Sequence, residues 1–252
     1  MGAKKACKSI IGFLGCDYEL FENEKSDDKI IGRWNELTEQ GKQEGFFPLL
    51  IVSSGVLAES LELALKNAGL ENTREGVSVL REKTLREAED VNVQAFLDAR
   101  LAEYMEMHGD MNILGEFKLA EPDGCFYCHI DMLKRKPHPE ILIAKIPAKH
   151  PWELAAWVPM GGFNDCPSPA EQTAVFKYWH EKYGAVPGVV TYDNWEMELT
   201  EPPMTNEDGE ALAKEHFAFC YDVIMQAGEG WDTIRARASA LTSSATWYFW
   251  WD

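Results

Sequence analysis

The first half of the chain combines helical patterns of apolar residues with one short apolar run. Residues 26–45 carry apolar side chains at helical spacing, which predicts an amphipathic helix. The run FFPLLIVSS at 46–54 is typical of a buried strand. A second amphipathic pattern begins near Leu57 and ends at Gly69, a residue type that often follows a helix, and a further helix is predicted over 91–108. A strand among helices favours an α/β arrangement.

Strand patterns dominate the second half. ILIAKIP at 141–147 and WELAAWVP at 152–159 predict consecutive strands, and VPGVVTYD and WEMELT predict two more. Helices are predicted over 207–220 and near 232–241. We therefore expect an α/β or α+β fold in which a mixed β-sheet carries flanking helices.

The loop MGGFNDCPSP leads into a helix with a complete N-terminal signature. Ser168 is placed to cap the helix, Pro169 occupies its first position, and Glu171 completes a capping box. The pattern of this helix ends at Gly184.

The last six residues, WYFWWD, place five aromatic rings in a row. Alternation puts Trp247, Phe249 and Trp251 on one face and Tyr248 and Trp250 on the other. Apolar rings on both faces predict a central strand covered from both sides, and so a structural role.

A cluster of turn residues between about 122 and 139 marks the best boundary in the chain. It predicts an N-terminal α/β region at 1–136 and a C-terminal α+β domain at 137–252, with one continuous domain as the alternative.

Charge narrows the choice of partner. Of 252 residues 42 are acidic and 24 are basic, which gives a net charge of −18. Such a surface repels phosphate backbones and anionic lipids, so we expect no nucleic-acid or membrane partner, and it favours a basic protein partner. MGAKKACKSIIGFLG lacks a cleavage site for secretion, so we expect a cytoplasmic protein whose six cysteines stay reduced. The sequence does not indicate an oligomeric state.

Four phrases resemble a known family. PWELAAWVPMGGFNDCP, YWHEKYGAVPGVVTYDNWEMEL, ALAKEHFAFCYD and TWYFWWD occur in this order between 151 and 252. With them, residues from about 139 to 252 resemble the bacterial domain-of-unknown-function family 4253, and the N-terminal portion looks like the looser leader segment of such proteins. The family carries no established chemistry. The resemblance implies an association with toxin–immunity and related interaction proteins, and this implication rests on association alone.

CFYCH at 125–129 is the sharpest motif. Its spacing matches c-type haem attachment or a redox cysteine pair, but the setting favours a hairpin with ordinary buried thiols. We expect no cofactor, with zinc as the alternative. The zinc alternative uses Cys125, Cys128, His216 and Cys220, with His129 or His138 as substitutes.

The loop GGFNDC is the best candidate for a binding site. Its predicted binding residues are Gly161, Gly162, Asn164, Asp165 and Cys166. Paired glycines let a ligand approach the backbone, and a thiol just before a helix N-terminus is placed to ionise. The competing interpretation is a tight turn with a packed cysteine.

No catalytic residue is assigned, and the enzymatic alternative is a cysteine nucleophile. It would pair Cys166 with His150 or His180 as the base. Asp193, Glu196 and Glu198 are interpreted as a solvated strand face in an acidic protein. The leading prediction is thus a non-enzymatic, acidic protein-interaction module, immunity-like or regulatory. The alternative is a small cysteine- or zinc-dependent enzyme.

Overall fold

A mixed sheet runs through the protein from its N-terminal to its C-terminal part. The structure, a computed structural model, describes residues 3–109, 111–228 and 230–252. Within these residues, six strands form the sheet and two short ones form a hairpin. The strands are β1 Tyr18–Glu22, β2 Phe47–Val52, β3 Ile130–Asp131, β4 Lys136–Pro137, β5 Glu140–Ile146, β6 Val186–Val190, β7 Asn194–Glu198 and β8 Thr246–Trp250.

The strand order in the sheet is β1-β5-β2-β6-β7-β8, and β3 pairs with β4 in the hairpin. The pair β2–β6 is parallel and the other pairs of the sheet are antiparallel. The helices are α1 Ala3–Leu14, α2 Asp27–Glu44, α3 Gly55–Asn67, α4 Arg74–Glu89, α5 Val93–Met107, α6 Leu154–Trp157, α7 Pro169–Tyr183, α8 Asn206–Phe219, α9 Asp222–Met225 and α10 Ile234–Leu241, with a 3-10 turn at Pro151–Glu153.

Helices cover both faces of the sheet. The larger core joins strand residues such as Trp195 and Phe249 to α7 and α8, and it also contains the apolar sides of α1 and α3. A smaller core lies on the other face, where Trp34 of α2 meets Phe126 with ring centroids 5.2 Å apart. The predicted class, a mixed sheet with flanking helices, is confirmed, and the fold is α/β.

Most of the predicted elements are confirmed. The helix predicted over 26–45 is α2, and Gly45 closes it in the left-handed conformation at φ 79°. The capping box of α7 is present as predicted: the Ser168 hydroxyl accepts from the Glu171 amide, and the Glu171 carboxylate accepts from the Ser168 amide. Gly184 ends α7 at φ 62°.

The strand predicted over 152–159 is wrong. This stretch is helical instead: the 3-10 turn begins at Pro151, and α6 follows directly. Proline suits the first position of a helical turn because its missing N–H has no helical partner there. Residues 154–158 are buried on all sides, so their sequence shows no helical period, and an unbroken apolar run resembles a buried strand.

The terminal aromatic run is a strand, but it is an edge strand and not a central one. β8 pairs with β7 alone among the described strands. Trp247, Phe249 and Trp251 are at most 1% exposed, which confirms the face assigned to them. Tyr248 and Trp250 are half-buried. The local pattern reports which face is buried but not whether a neighbouring strand exists.

Several elements were not predicted, among them α1, β1, α4 and α9. The helix α1 occupies the stretch that lacks a secretion cleavage site, and its buried side chains pack toward α3. The strand β1 and the helix α4 also lack strong sequence signals, because β1 is a half-exposed edge strand and α4 is mostly polar. In the part of the chain that the structure describes, no helix has the length and apolar character to cross a membrane.

The sheet crosses the predicted domain boundary. β2 belongs to the region 1–136, yet it lies between β5 and β6 of the region 137–252. The division at residue 136 stays a prediction about folding units.

Candidate functional site

The glycine-rich loop before α7 is held in a conformation that its residues are suited to adopt. Gly161 and Gly162 have φ values of 126° and 72°, and Asn164 has 45°. A Cβ on Gly161 would lie 2.2 Å from the amide nitrogen of Gln172 and 2.3 Å from the Pro167 carbonyl oxygen. Glycine is therefore required at 161 for both backbone and space.

Gln172 of α7 holds this loop from beneath. Its side chain is fully buried, and its Nε2 donates to the carbonyls of Met160 and Pro167, each at 2.7 Å. Its Oε1 accepts from the indole of Trp195 on β7 at 2.8 Å. The loop is thus tied to the sheet through one amide, which the sequence analysis did not identify.

An open cleft of about 810 Å³ borders this loop. One wall comes from α3 and α4, where Leu63 and Leu80 are among the lining residues. The opposite wall is the stretch from Gly161 to Asn164 and the first residues of α7. Tyr192, Asp193 and the segment 250–252 complete the lining. The sequence analysis missed the α3–α4 wall, because these helices lie about a hundred residues before the loop and α4 was not predicted.

Exposed apolar side chains and carboxylates occur together in the cleft. Val56 and Leu63 of α3 are each 52% exposed, and Tyr192 is 41% exposed. Glu87 and Asp252 are exposed acids, and Lys83 lies 3.7 Å from Glu87. The surface is therefore amphipathic.

Asp193 supports the cleft rather than offering a free charge. One carboxylate oxygen accepts from the Thr191 hydroxyl at 2.7 Å and from the Asn194 amide, and the other accepts from the Trp250 indole at 3.3 Å. These bonds join the β6–β7 turn to β8. The amide of Asn164 in turn donates to the backbone oxygen of Asp252.

Of the five predicted binding residues, three line the cleft: Gly161, Gly162 and Asn164. Asp165 and Cys166 are not part of the lining. Asp165 uses its backbone oxygen, which accepts from an Arg100 guanidinium nitrogen at 2.5 Å. Whether the three lining residues bind a ligand stays a prediction.

Cys166 is packed beneath the loop. Its sulfur contacts Met160 Sδ at 3.8 Å and Gln172 Nε2 at 3.6 Å, and the residue is 5% exposed. Burial raises the pKa of the thiol. The position before a helix predicts the opposite shift, but the packed thiol fits the competing interpretation of a tight turn with a buried cysteine.

The two candidate bases, His150 and His180, lie near each other, and neither is among the contacts of the Cys166 thiol described above. His150 stacks on Trp152 with ring centroids 4.3 Å apart, and Trp152 meets His180 at 5.1 Å. Nδ1 of His180 is 3.1 Å from the Ala185 carbonyl oxygen. The structure therefore joins the two histidines through a tryptophan, and neither is a hydrogen-bond partner of Cys166 among the described residues.

The CFYCH motif packs against the smaller core. The expected buried thiols are wrong for Cys125, which is exposed, whereas Cys128 is half-buried. Phe126 fills the space over Gly188, and His129 is fully buried with its Nε2 beside a carboxylate oxygen of Asp27. A hairpin, β3–β4, follows as predicted.

The four residues of the zinc alternative are not brought together. Cys220 lies beyond the end of α8 in an extended conformation, so it does not share a helical face with His216. Its thiol donates to the Trp250 carbonyl at 2.9 Å, whereas His216 is enclosed by Trp179 and Trp247. Across the described ranges, no group of three or more His, Cys, Asp or Glu side chains is arranged to hold a metal ion.

Glu196 contradicts the prediction of a solvated acidic strand face. It is 1% exposed, and its two oxygens accept from the amides of Tyr127 and Cys128 at 2.9 and 3.0 Å. Burial raises the pKa of this carboxyl to about 7. Glu196 therefore anchors the CFYCH segment over β7, while Glu198 is exposed.

Comparison with known proteins bears on the C-terminal part of the chain. No curated protein and no solved structure matches the sequence. The family described as Domain of unknown function (DUF4253) matches residues 142–252, so the predicted family resemblance of the C-terminal part is confirmed.

Proposed function

We propose that the protein is a binding module whose cleft receives a basic, partly apolar segment of a partner protein. The observation that carries the proposal is the composition of the cleft: Val56, Leu63 and Tyr192 expose apolar surface next to the carboxylates of Glu87 and Asp252. Exposed apolar surface rimmed by polar groups is typical of an interaction site. An immunity-like or regulatory role in the bacterial cytoplasm is part of the proposal, supported by the family resemblance and the six free thiols.

Charge supports a basic partner. The chain has a net charge of −18, which attracts a cationic segment over a distance and raises its rate of association. The start of α7 does not favour an anionic ligand, because Ser168 and Glu171 occupy each other's amides through the capping box. Lys83 is neutralised in part by Glu87.

The test is selection of random peptides displayed on phage against the purified protein. We expect the recovered peptides to be enriched in Lys or Arg together with Leu, Phe or Trp. Their affinity, measured by calorimetry, should fall as salt is raised, because the charges lie at an exposed site. Recovery of acidic peptides, or no enrichment at all, would contradict the proposal.

Matched variants locate the binding. Leu63→Asp should weaken a selected peptide by about tenfold or more, as expected for truncation of a well-placed interface residue. Val79→Asp is the control, since Val79 is 43% exposed on α4 and does not line the cleft. Glu87→Lys, within the cleft, should also weaken the peptide, and Glu82→Lys, outside the cleft, is its control. Equal loss in both members of each pair would place the binding elsewhere.

A further inference from the structure

A second cavity lies beside the outer edge of β8. Its volume is about 370 Å³, and it is lined by residues that include Asp123, Trp231, Arg237 and Tyr248. This site is separate from the loop before α7, although Trp250 contributes to the lining of both. A cavity of this volume lies at the small end of ligand pockets and suits a molecule of about amino-acid size.

Arg237 of α10 is a buried guanidinium with incomplete partners. The residue is 4% exposed, and its Nε has no hydrogen-bond partner among the residues that the structure describes. Its Nη2 lies 3.2 Å from Nδ1 of His216 and 3.4 Å from the Tyr248 carbonyl oxygen. No Asp or Glu oxygen of the described residues pairs with Arg237 within 4.0 Å, in contrast to Arg235 on the same helix, which pairs with Glu210 at 2.8 Å.

His216 accepts a hydrogen bond from Arg237 without neutralising it. Burial lowers the pKa of His216 well below its usual value, so the ring is neutral and Nδ1 is free to accept. A buried guanidinium that no described carboxylate pairs with directly is costly, and such a group favours an anionic ligand at the cavity that it lines.

Asp123 supplies the opposite charge in the same cavity. Its backbone is fixed by bonds to Ser244 and Ala245, at 3.0 and 2.8 Å. Its side chain is half-buried, and burial raises the pKa of the carboxyl while the positive charge of Arg237 opposes that shift. Arg237 and Asp123 therefore line one cavity without forming a direct pair among the described residues. The third charged residue of the lining, Asp222, accepts from the backbone amide of Asp252 at 3.1 Å.

Aromatic rings form the remaining walls. Tyr127 and Tyr248 lie with ring centroids 5.0 Å apart, and Trp231 lies with its ring centroid 5.7 Å from Cζ of Arg237. Such rings offer flat apolar surface together with the hydroxyls of the two tyrosines.

We propose that this cavity binds a small zwitterion of the α-amino acid class. Its carboxylate would meet the guanidinium of Arg237 and its ammonium group the carboxylate of Asp123, with the side chain against Trp231 and the paired tyrosines. A ligand that carries both charges would pair with the guanidinium of Arg237 and with the carboxylate of Asp123 at once. The inference does not depend on the partner proposed for the cleft.

The first experiment measures the melting temperature of the full chain with each standard amino acid, followed by calorimetry of those that raise it. Two further probes are matched to the best ligand: the acid that lacks the ammonium group and the amine that lacks the carboxylate. We expect saturable binding of the amino acid and a loss of about tenfold or more with either probe, since each removes a charge-assisted hydrogen bond. No binding with a dissociation constant below about 1 mM, or equal binding of the acid alone, overturns the proposal.

Variants assign the binding to this cavity. Asp123→Asn should weaken binding about tenfold or more, whereas Asp232→Asn, at an exposed residue next to Trp231, should leave it unchanged. Trp231→Ala provides a second variant that decides the matter if Asp123→Asn lowers the melting temperature of the free protein below the working range. Binding that survives both substitutions overturns the assignment.

Discussion

The buried carboxyl of Glu196 should make folding stability depend on pH. Burial raises the pKa of this group from an ordinary value of 4.5 to about 7. Below pH 4.5 the group is protonated in the folded and unfolded states alike, and it does not alter the balance between them. Between pH 4.5 and 7 the unfolded state releases its proton more readily, so folding stability falls as pH rises.

The size of the effect follows from the two pKa values. Each pH unit across this interval is worth about 1.4 kcal/mol, so the penalty approaches about 3 kcal/mol above pH 7. The backbone amides of Tyr127 and Cys128 limit the penalty, because both donate to the charged form. Without them, burial at 1% exposure would raise the pKa further.

Glu196→Gln isolates this contribution. Glutamine does not titrate, but its amide nitrogen replaces one of the two acceptors, so the variant loses a fixed amount of stability at every pH. The informative quantity is the change with pH in the free-energy difference between the variant and the wild type. We expect this difference to move in favour of the variant by about 3 kcal/mol between pH 4.5 and 8.

The assay is urea unfolding followed by tryptophan fluorescence at several pH values. Glu181→Gln, at an exposed position of α7, is the control for the substitution itself. Groups that titrate in both the wild type and the variant cancel in the difference. A free-energy difference that stays constant within about 0.5 kcal/mol across this pH range would refute the reasoning.

Two further predictions concern the loop before α7. Gln172→Met removes three buried hydrogen bonds at similar volume and should lower the free energy of unfolding, measured with urea, by about 3 kcal/mol. The control Gln94→Met, on the exposed surface of α5, should change it by less than about 0.5 kcal/mol. Similar losses in both variants would contradict the role of the Gln172 amide. Cys166 should react with iodoacetamide at least about tenfold more slowly than the exposed Cys125 at neutral pH, measured by peptide mass spectrometry, because it is buried and its pKa is raised; equal rates would show an accessible thiolate.

The sequence predicts elements well where a local signal is complete. The capping box at Ser168 and the left-handed glycines at 45 and 184 define helix ends through backbone chemistry that acts within a few residues. The strand prediction over 152–159 is wrong because this stretch has no such local signal. Its residues are buried on every side, so the helical period vanishes and tertiary packing decides the conformation.

The position of a strand within the sheet is beyond a local pattern. The aromatic run at β8 shows a buried side and a half-buried side, but α10 and the segment around Asp123 cover its outer edge in place of another strand. The same holds for Glu196. The amides that its carboxylate binds lie about seventy residues earlier in the chain, so no local pattern indicates its burial. The acidic composition of the chain predicted a solvated carboxylate instead.

Part of the candidate site was predictable, and the reason lies in what each residue type can do. Gly161 was singled out because a glycine lets a ligand approach the backbone and Asn164 because its side chain is polar, and both line the cleft. Leu63 and Glu87 carry no such signal, since they are ordinary members of amphipathic helices. The wall that they form depends on the packing of α3 against α4 and of α4 against α7.

The two sites differ in how they relate to the segment that matches the family. The cleft needs α3 and α4, which lie outside residues 142–252, and β2 from the same region lies in the middle of the sheet. The smaller cavity takes Trp231, Arg237 and Tyr248 from within that segment, and residues such as Asp123 complete it. A fragment restricted to the matched segment would lose one wall of the cleft and a central strand together. Loss of partner binding in such a fragment would therefore not distinguish a missing contact from a misfolded sheet, and single substitutions at Leu63 in the full chain are the sharper test.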